Sequence, residues 1–90
     1  MTESDMPVRV AGLFLTDTPD GLAIHHSDGE WGHFLNPVAS VILLLCNGAH
    51  DARSIASILK EEFSLDEAPI DDVLACLTEL HACGLITRSR

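Results

Sequence analysis

Glu30-Trp31-Gly32-His33-Phe34-Leu35-Asn36-Pro37-Val38-Ala39-Ser40-Val41-Ile42-Leu43-Leu44-Leu45 is the stretch on which the fold turns, because the spacing of its apolar residues changes in the middle. Up to Leu35 the residues follow a two-residue period, which sets Trp31, His33 and Leu35 on one face of a strand and Glu30, Gly32 and Phe34 on the other. That pattern leaves open which face meets the core. From Val38 onward the apolar positions Val38, Val41, Ile42 and Leu45 fall at i, i+3, i+4 and i+7, which is the spacing of one helix face. Asn36 suits the cap of that helix. Pro37 suits its first position, where a missing N–H costs nothing. Leu43 and Leu44 thicken the stripe, so this helix is expected to be nearly buried and to end at Gly48 in a left-handed cap.

Upstream of this junction the chain reads as β. Val8, Val10 and Leu13-Phe14-Leu15 form a first β-prone run, ended by the turn formers Asp17-Thr18-Pro19-Asp20-Gly21. Leu22 to His26 is a second strand, Ser27-Asp28-Gly29 supplies a tight hairpin turn, and Glu30 to Leu35 is the third strand. Downstream it reads as α. Asp51 can cap a second helix with the apolar face Ala52, Ile55, Ile58, Leu59 and Phe63, closing near Ser64. Asp66, Glu67 and Pro69 suit the first turn of a third helix, whose stripe is Ile70, Val73, Leu77 and Leu80 and whose stop is Gly84. Leu85-Ile86 can fold back onto its last turn. The first five or so residues and Thr87 to Arg90 read as fraying ends. The expected architecture is α+β, a three-stranded antiparallel sheet followed by three helices, in one domain over 1–90 with a core at about 7–86.

Ninety residues, 47% of them hydrophobic, bury one core and leave no length for a second. Five Lys and Arg stand against fourteen Asp and Glu, a net charge of -9, so a phosphate backbone or an anionic membrane surface would be repelled. The longest apolar run, Val41 to Cys46, is far too short to span a bilayer, and Glu3 and Asp5 stand where an export signal would carry bases. Three cysteines without a CxxC pair fit a reducing, cytoplasmic setting.

Five histidines and three cysteines raise the question of a metal, but the spacing opposes it. His25 and His26 are adjacent and face opposite sides of a strand, while Cys76 and Cys83 share a helix face with no third ligand near. Buried free cysteine mostly behaves as a small hydrophobe. Cys46 and His50 could form a nucleophile pair at a helix end, yet no glycine loop would hold an oxyanion and no residue would orient the imidazole. No carboxylate spacing marks an acid-base pair, and the acidic residues read as a solvated face. A phosphopantetheine carrier, also small and acidic, would need a serine following an aspartate at a helix start, and no serine here follows an aspartate. Three helices with a β-hairpin also suit a winged helix, whose usual partner is DNA. Only Arg53 and Lys60 are basic between Val10 and Thr87, so this scaffold serves another purpose. No enzyme activity, no metal and no cofactor are expected.

The segment Phe34-Leu35-Asn36-Pro37-Val38-Ala39-Ser40, then Ile42 with Leu45-Cys46-Asn47-Gly48, Ile55-Ala56 with Leu59 and Phe63, Asp72-Val73-Leu74 with Leu77 and Leu80, and Gly84-Leu85-Ile86 resemble the PqqD-like family. The resemblance runs from about Leu22 to Ile86. It rests on the order and separation of pieces that are each ordinary alone. Its members are small peptide chaperones, or precursor-peptide recognition elements, in the biosynthesis of ribosomally made and modified natural products. The resemblance implies a winged-helix-like domain that takes the leader of a precursor peptide as an added strand beside the third strand, in a groove shared with the third helix. The bound precursor is then presented to a modifying enzyme, a radical S-adenosylmethionine protein, a cyclase or a peptidase. Carried onto this chain, the backbone of Trp31, Gly32, His33 and Phe34 pairs with the leader, and Leu74, Leu77, Thr78 and His81 line the pockets; the alternative roles are core for Leu77 and a cover over the hairpin for Trp31. Gly32 departs from a good strand former and marks either a bulge or a close backbone approach. The acidic residues expected nearest the groove are Glu30, Asp71, Asp72 and Glu79, and they favour leaders carrying Lys or Arg. A winged-helix interaction domain or regulator unconnected with peptide natural products is the alternative.

Overall fold

Pro19 and Asp20 form the two-residue loop that joins β2 (Leu13–Thr18) to β3 (Gly21–His26), with Thr18 and Gly21 as the closing pair. The Thr18 hydroxyl donates to the Gly21 carbonyl at 3.0 Å and fixes the turn. β3 then pairs on its other side with β4 (Gly32–Leu35), so the antiparallel order is β2-β3-β4. The computed structural model describes residue 2 and residues 4–26 and 32–89. The expected Ser27-Asp28-Gly29 turn, together with Glu30 and Trp31, lies outside the described residues.

Gly21 stands where the sheet meets the first helix. Its φ is 145°, and a Cβ there would collide with the Leu35 carbonyl oxygen. Leu35 is the last residue of β4, and Asn36 directly after it caps α1 (Pro37–Leu44), its Oδ1 accepting from the Ala39 N–H at 2.8 Å. The Ser40 hydroxyl sits within 2.7 Å of the Asn36 carbonyl oxygen and 3.2 Å of that of Leu35, tying the first turn back to the strand. The period change read from the sequence is thus a physical joint. α1 lies against β3, β4 and α3 and buries Ile42 and Leu43. It ends at Leu44, with Leu45 as its C-cap, earlier than Gly48. Gly48 has φ 82° and donates its N–H to Pro7 O at 3.0 Å, so its left-handed conformation turns the chain toward the N-terminal strand.

Asp51 caps α2 (Ala52–Glu62) through the Ser54 N–H at 2.8 Å, as its residue type suggests. The helix closes on Ser64, a non-glycine residue at φ 52°, with Leu65 N–H donating to Lys60 O at 2.9 Å and Ser64 N–H to Glu61 O at 3.4 Å. α3 (Ile70–Ala82) closes in the same way on Gly84, with Leu85 N–H donating to Leu80 O at 3.0 Å and Leu85 buried beneath the turn. Its start differs from expectation. Pro69 holds the cap position with no side-chain bond, Asp66 and Glu67 belong to the preceding loop, and Asp71 and Asp72 are the acids of the first turn. One apolar cluster, including Ile24, Ile42, Leu59, Val73, Leu77 and Ile86, joins the sheet to all three helices.

Two expectations at the chain ends need correction. The run Val8 to Leu15 is not one strand. It breaks at Gly12, with φ 84°, into β1 (Met6–Arg9) and β2. The segment after Ile86 is not a fraying end in its described part, because β5 (Ile86–Ser89) pairs antiparallel with β1 in a separate two-stranded sheet. Asp5 adds an ion pair to Arg88 at 3.6 Å. Neither strand shows a clean alternation, and their pairing joins residues some eighty apart in sequence, so no local pattern announces it. Among the described residues no helix is long and apolar enough to cross a membrane.

The joint gives a direct test. Gly21→Ala forces a side chain into the Leu35 carbonyl at a φ that L-residues rarely adopt, so it should lower unfolding stability by at least about 2 kcal/mol. Asn36→Ala loses one cap bond and should cost about 1 kcal/mol. Urea melts of both variants check the order, and a Gly21→Ala protein as stable as the parent would exclude the close contact.

Candidate functional site

β4 has β3 on one side and, among the described residues, no strand on the other, so its outer edge is open. Along that edge runs a cleft of about 930 Å³. Its sheet side is His33, Phe34 and Leu35. Asn36, Val38 and Ala39 continue it onto the start of α1, and Phe63 and Leu65 border it from the end of α2. From α3 and its C-cap come Asp72, Cys76, Glu79 and Cys83, at i, i+4, i+7 and i+11, which is one stripe of a helix, with Val73, Ala75 and Leu80 beside it. Phe34, Val38, Phe63 and Leu65 are all exposed, Phe34 by 60%, so the cleft offers apolar surface that no described residue covers. The left-handed Ser64 has a role here, because it stops α2 and leaves Phe63 and Leu65 flanking the turn at the cleft.

The burial pattern settles which face of the third strand meets the core. His33 and Leu35 are half-buried and face inward, and Gly32 and Phe34 are exposed. Gly32 pairs with His25 in an unbroken ladder, so the strand is not bulged there. Instead a Cβ at this position would stand 2.8 Å from the Ile24 carbonyl oxygen, and glycine permits the close approach. Trp31 lies outside the described residues.

The expected third-helix residues fall elsewhere. Leu77 is fully buried in the core, Leu74 is half-buried against it, and Asp71, Thr78 and His81 are exposed; none of the five lines the cleft. The Thr78 hydroxyl donates to the Leu74 carbonyl within its own helix, at 2.9 Å. At about 100° per residue, Leu74, Leu77, Thr78 and His81 centre on a direction roughly opposite to that of Asp72, Cys76, Glu79 and Cys83, with the buried stripe Val73, Leu77 and Leu80 between them. Periodicity identifies the stripe and leaves both of its flanks equivalent. What distinguishes the flank that lines the cleft is its continuity with Phe34 and Phe63, which only the fold supplies. Of the acids expected near the groove, Asp72 and Glu79 line it and Asp71 does not.

Two groups of the cleft, His33 and Cys76, are shifted toward their neutral forms. Partial burial lowers the His33 pKa from its ordinary 6.5, and the nearby His26 adds to this; the two rings meet edge to face at 6.0 Å. Burial pushes the Cys76 thiol up to about 11, with Glu79 adding to the effect. Cys46, beneath it in the core, is pushed up to about 12, again mainly by burial, and donates to the Ile42 carbonyl at 3.1 Å. That thiol is committed to a backbone acceptor and is no nucleophile for His50 to activate. Among the described residues no three His, Cys, Asp or Glu side chains gather as a metal site.

An apolar cleft beside an open strand edge, on three helices packed behind an antiparallel sheet, defines a winged-helix-like α+β domain. The chain belongs to the family described as coenzyme PQQ synthesis protein D (PqqD), whose model matches residues 21–86. Its fold is similar to that of lasso peptide synthetase B1, solved in complex with its leader peptide, at a TM-score of 0.74 and 18% identity over 91% of this chain and 98% of that one. No curated protein sequence matches the chain.

His33 makes the site pH-dependent in a definite sense. Its folded pKa lies below the unfolded one, so the unfolded chain binds the proton first. The contribution of neutral His33 is in place above about pH 6.5 and is lost as the pH falls toward the folded value. An NMR titration should place its midpoint below 6.5, and stability should decline from pH 7 to pH 5 more steeply in the parent than in His33→Gln.

Proposed function

We propose that this protein binds the leader segment of a ribosomally made precursor peptide as an added strand on β4, with the leader's side chains in the cleft along α3, and presents the remainder to a modifying enzyme. The observation that carries this reading is the open β4 edge flanked by uncovered Phe34, Val38, Phe63 and Leu65. An edge strand offers unpaired backbone groups to an extended peptide, and pockets beside it select alternate side chains. Membership of the PqqD family and the leader-bound state of the structural neighbour support the same ligand. The domain is a recognition element rather than a catalyst, and a single domain carries the whole site. The enzyme it serves belongs to the radical S-adenosylmethionine, cyclase or peptidase classes.

Magnitudes assign the affinity. Burying one Phe or Leu side chain contributes about 1.5–3 kcal/mol, and each added backbone hydrogen bond about 0.5–1.5 kcal/mol. A few of each suffice for micromolar binding, about 8 kcal/mol, after the ordering of a flexible leader is subtracted.

The register of β4 predicts which backbone groups are used. The Ile24 carbonyl approaches Gly32 closely and Ile24 is paired with His33, so the His33 N–H is turned inward to β3. Alternation then turns the N–H and C=O of Phe34 to the open edge. Phe34→Pro should therefore weaken the leader by about 1 kcal/mol beyond the loss in Phe34→Ala, which removes the ring alone, and should leave the fold intact. His33→Pro breaks the ladder to β3 and should lower the melting temperature instead. The titration uses leader peptides encoded by short reading frames beside the gene, with duplex DNA as control. Equal affinities for Phe34→Pro and Phe34→Ala would exclude strand addition, and tight DNA binding would restore the regulator reading.

A further inference from the structure

We infer that the cleft is selective for cationic, amphipathic peptide strands, with Asp72 and Glu79 reading Lys or Arg side chains on the face of the strand that carries the apolar anchor. This deepens the leader-binding reading and rests on it.

Three observations converge. Among the described residues that line the cleft, Asp72 and Glu79 are the acids and none is Lys or Arg, so the described lining brings two carboxylates and no basic side chain. These carboxylates flank Cys76 on one α3 stripe, which places apolar and acidic surface side by side. Cys76 feels Glu79 directly, since that charge helps raise its pKa to about 11. The wider molecule adds the same sign, with a net charge of -9. A strand entering with acidic side chains would therefore meet repulsion in the cleft and on approach.

The spacing suits an extended peptide. Seven residues of helix set Asp72 and Glu79 about 10.5 Å apart along the α3 axis. Residues on one face of a strand recur every 6.7 Å or so, hence at about 6.7 and 13.4 Å. Long, flexible Lys or Arg side chains bridge the difference, so bases two or four positions apart can each reach a carboxylate, and with the four-residue spacing the apolar residue midway between them lies on the same face and meets Phe34, Phe63 or Leu65. Charge here contributes selectivity and encounter rate, because exposed pairs are weak and screened within roughly 8 Å at physiological salt.

The helix supplies its own control. Asp71 and Asp72 are neighbours in the first turn of α3 and both are exposed, but only Asp72 lines the cleft. Asp71→Asn and Asp72→Asn change net charge and the interaction with the helix dipole alike, and they differ only in position relative to the cleft.

The probe is a display library of random twelve-residue peptides selected on the parent, on Asp71→Asn, and on Asp72→Asn with Glu79→Gln, followed by binding kinetics of the selected peptides at low and high salt. The parent and Asp71→Asn should enrich strands with Lys or Arg at alternate positions. The double variant should lose that enrichment and bind those peptides about three- to tenfold more weakly at low salt, mainly through slower association, with the difference shrinking at high salt. Selected peptides with no basic bias, or equal effects of Asp71→Asn and of the double variant, would overturn the inference while leaving strand addition in place if Phe34→Pro still weakens binding. Peptides indifferent to Phe34→Pro would overturn the strand-addition reading and this inference with it.

Discussion

The Leu35–Asn36 junction is held from three sides, and the site depends on it. Gly21 leaves no room beneath the Leu35 carbonyl, Ser40 reaches back to the carbonyls of Leu35 and Asn36, and Asn36 caps the helix that begins one residue later. Each contact is modest, a net hydrogen bond contributing about 1 kcal/mol. Their joint effect is geometric. They fix the angle at which a four-residue edge strand gives way to α1, and hence the position of Phe34 and Val38 relative to α3. A strand this short has little ladder of its own to define its direction, so the joint does it.

That joint was also the most legible feature of the sequence. Asn-Pro after an alternating run and before an i, i+3, i+4, i+7 stripe states a strand-to-helix junction in local chemistry, and so do Asp51 before Ala52 and Gly84 after α3. Three kinds of feature were not legible. The β1–β5 pair joins the two ends of the chain, and Thr87 and Arg88 carry no pattern that separates an edge strand from a tail. The stop of α2 uses Ser64, which pays a left-handed strain that glycine would avoid, so it resembles an ordinary polar residue in a loop. The α3 face that borders the cleft lies on one flank of the buried stripe, and a helix wheel cannot choose between two polar flanks. Leu74, Thr78 and His81 lie on the other flank, and the cleft is lined instead by Cys76 and two acids, residue types that a search for pockets by hydrophobicity passes over.

The neutral bias of the cleft follows from its construction. His33 points inward from the edge strand and so loses hydration, and Cys76 sits half-buried between the core and the opening. Both are pushed to their uncharged forms at neutral pH, which leaves Asp72 and Glu79 as the charges of the cleft. An apolar surface with two isolated carboxylates discriminates better than a mixed one, because no neighbouring cation compensates a wrong partner.

An open edge strand beside exposed phenylalanines is also a liability, since the same groups that take a peptide can take another copy of the chain. Proteins usually blunt such edges with lysine or proline, and β4 carries neither. Here the protection is electrostatic and operates at a distance. Two copies approach with nine negative charges each, and their clefts present carboxylates to one another, so edge-to-edge association is opposed before contact. A cationic strand meets the opposite field at the same edge. If β4 takes a peptide as proposed, one charge distribution both opposes self-pairing at the open edge beside Phe34 and attracts a cationic strand to it.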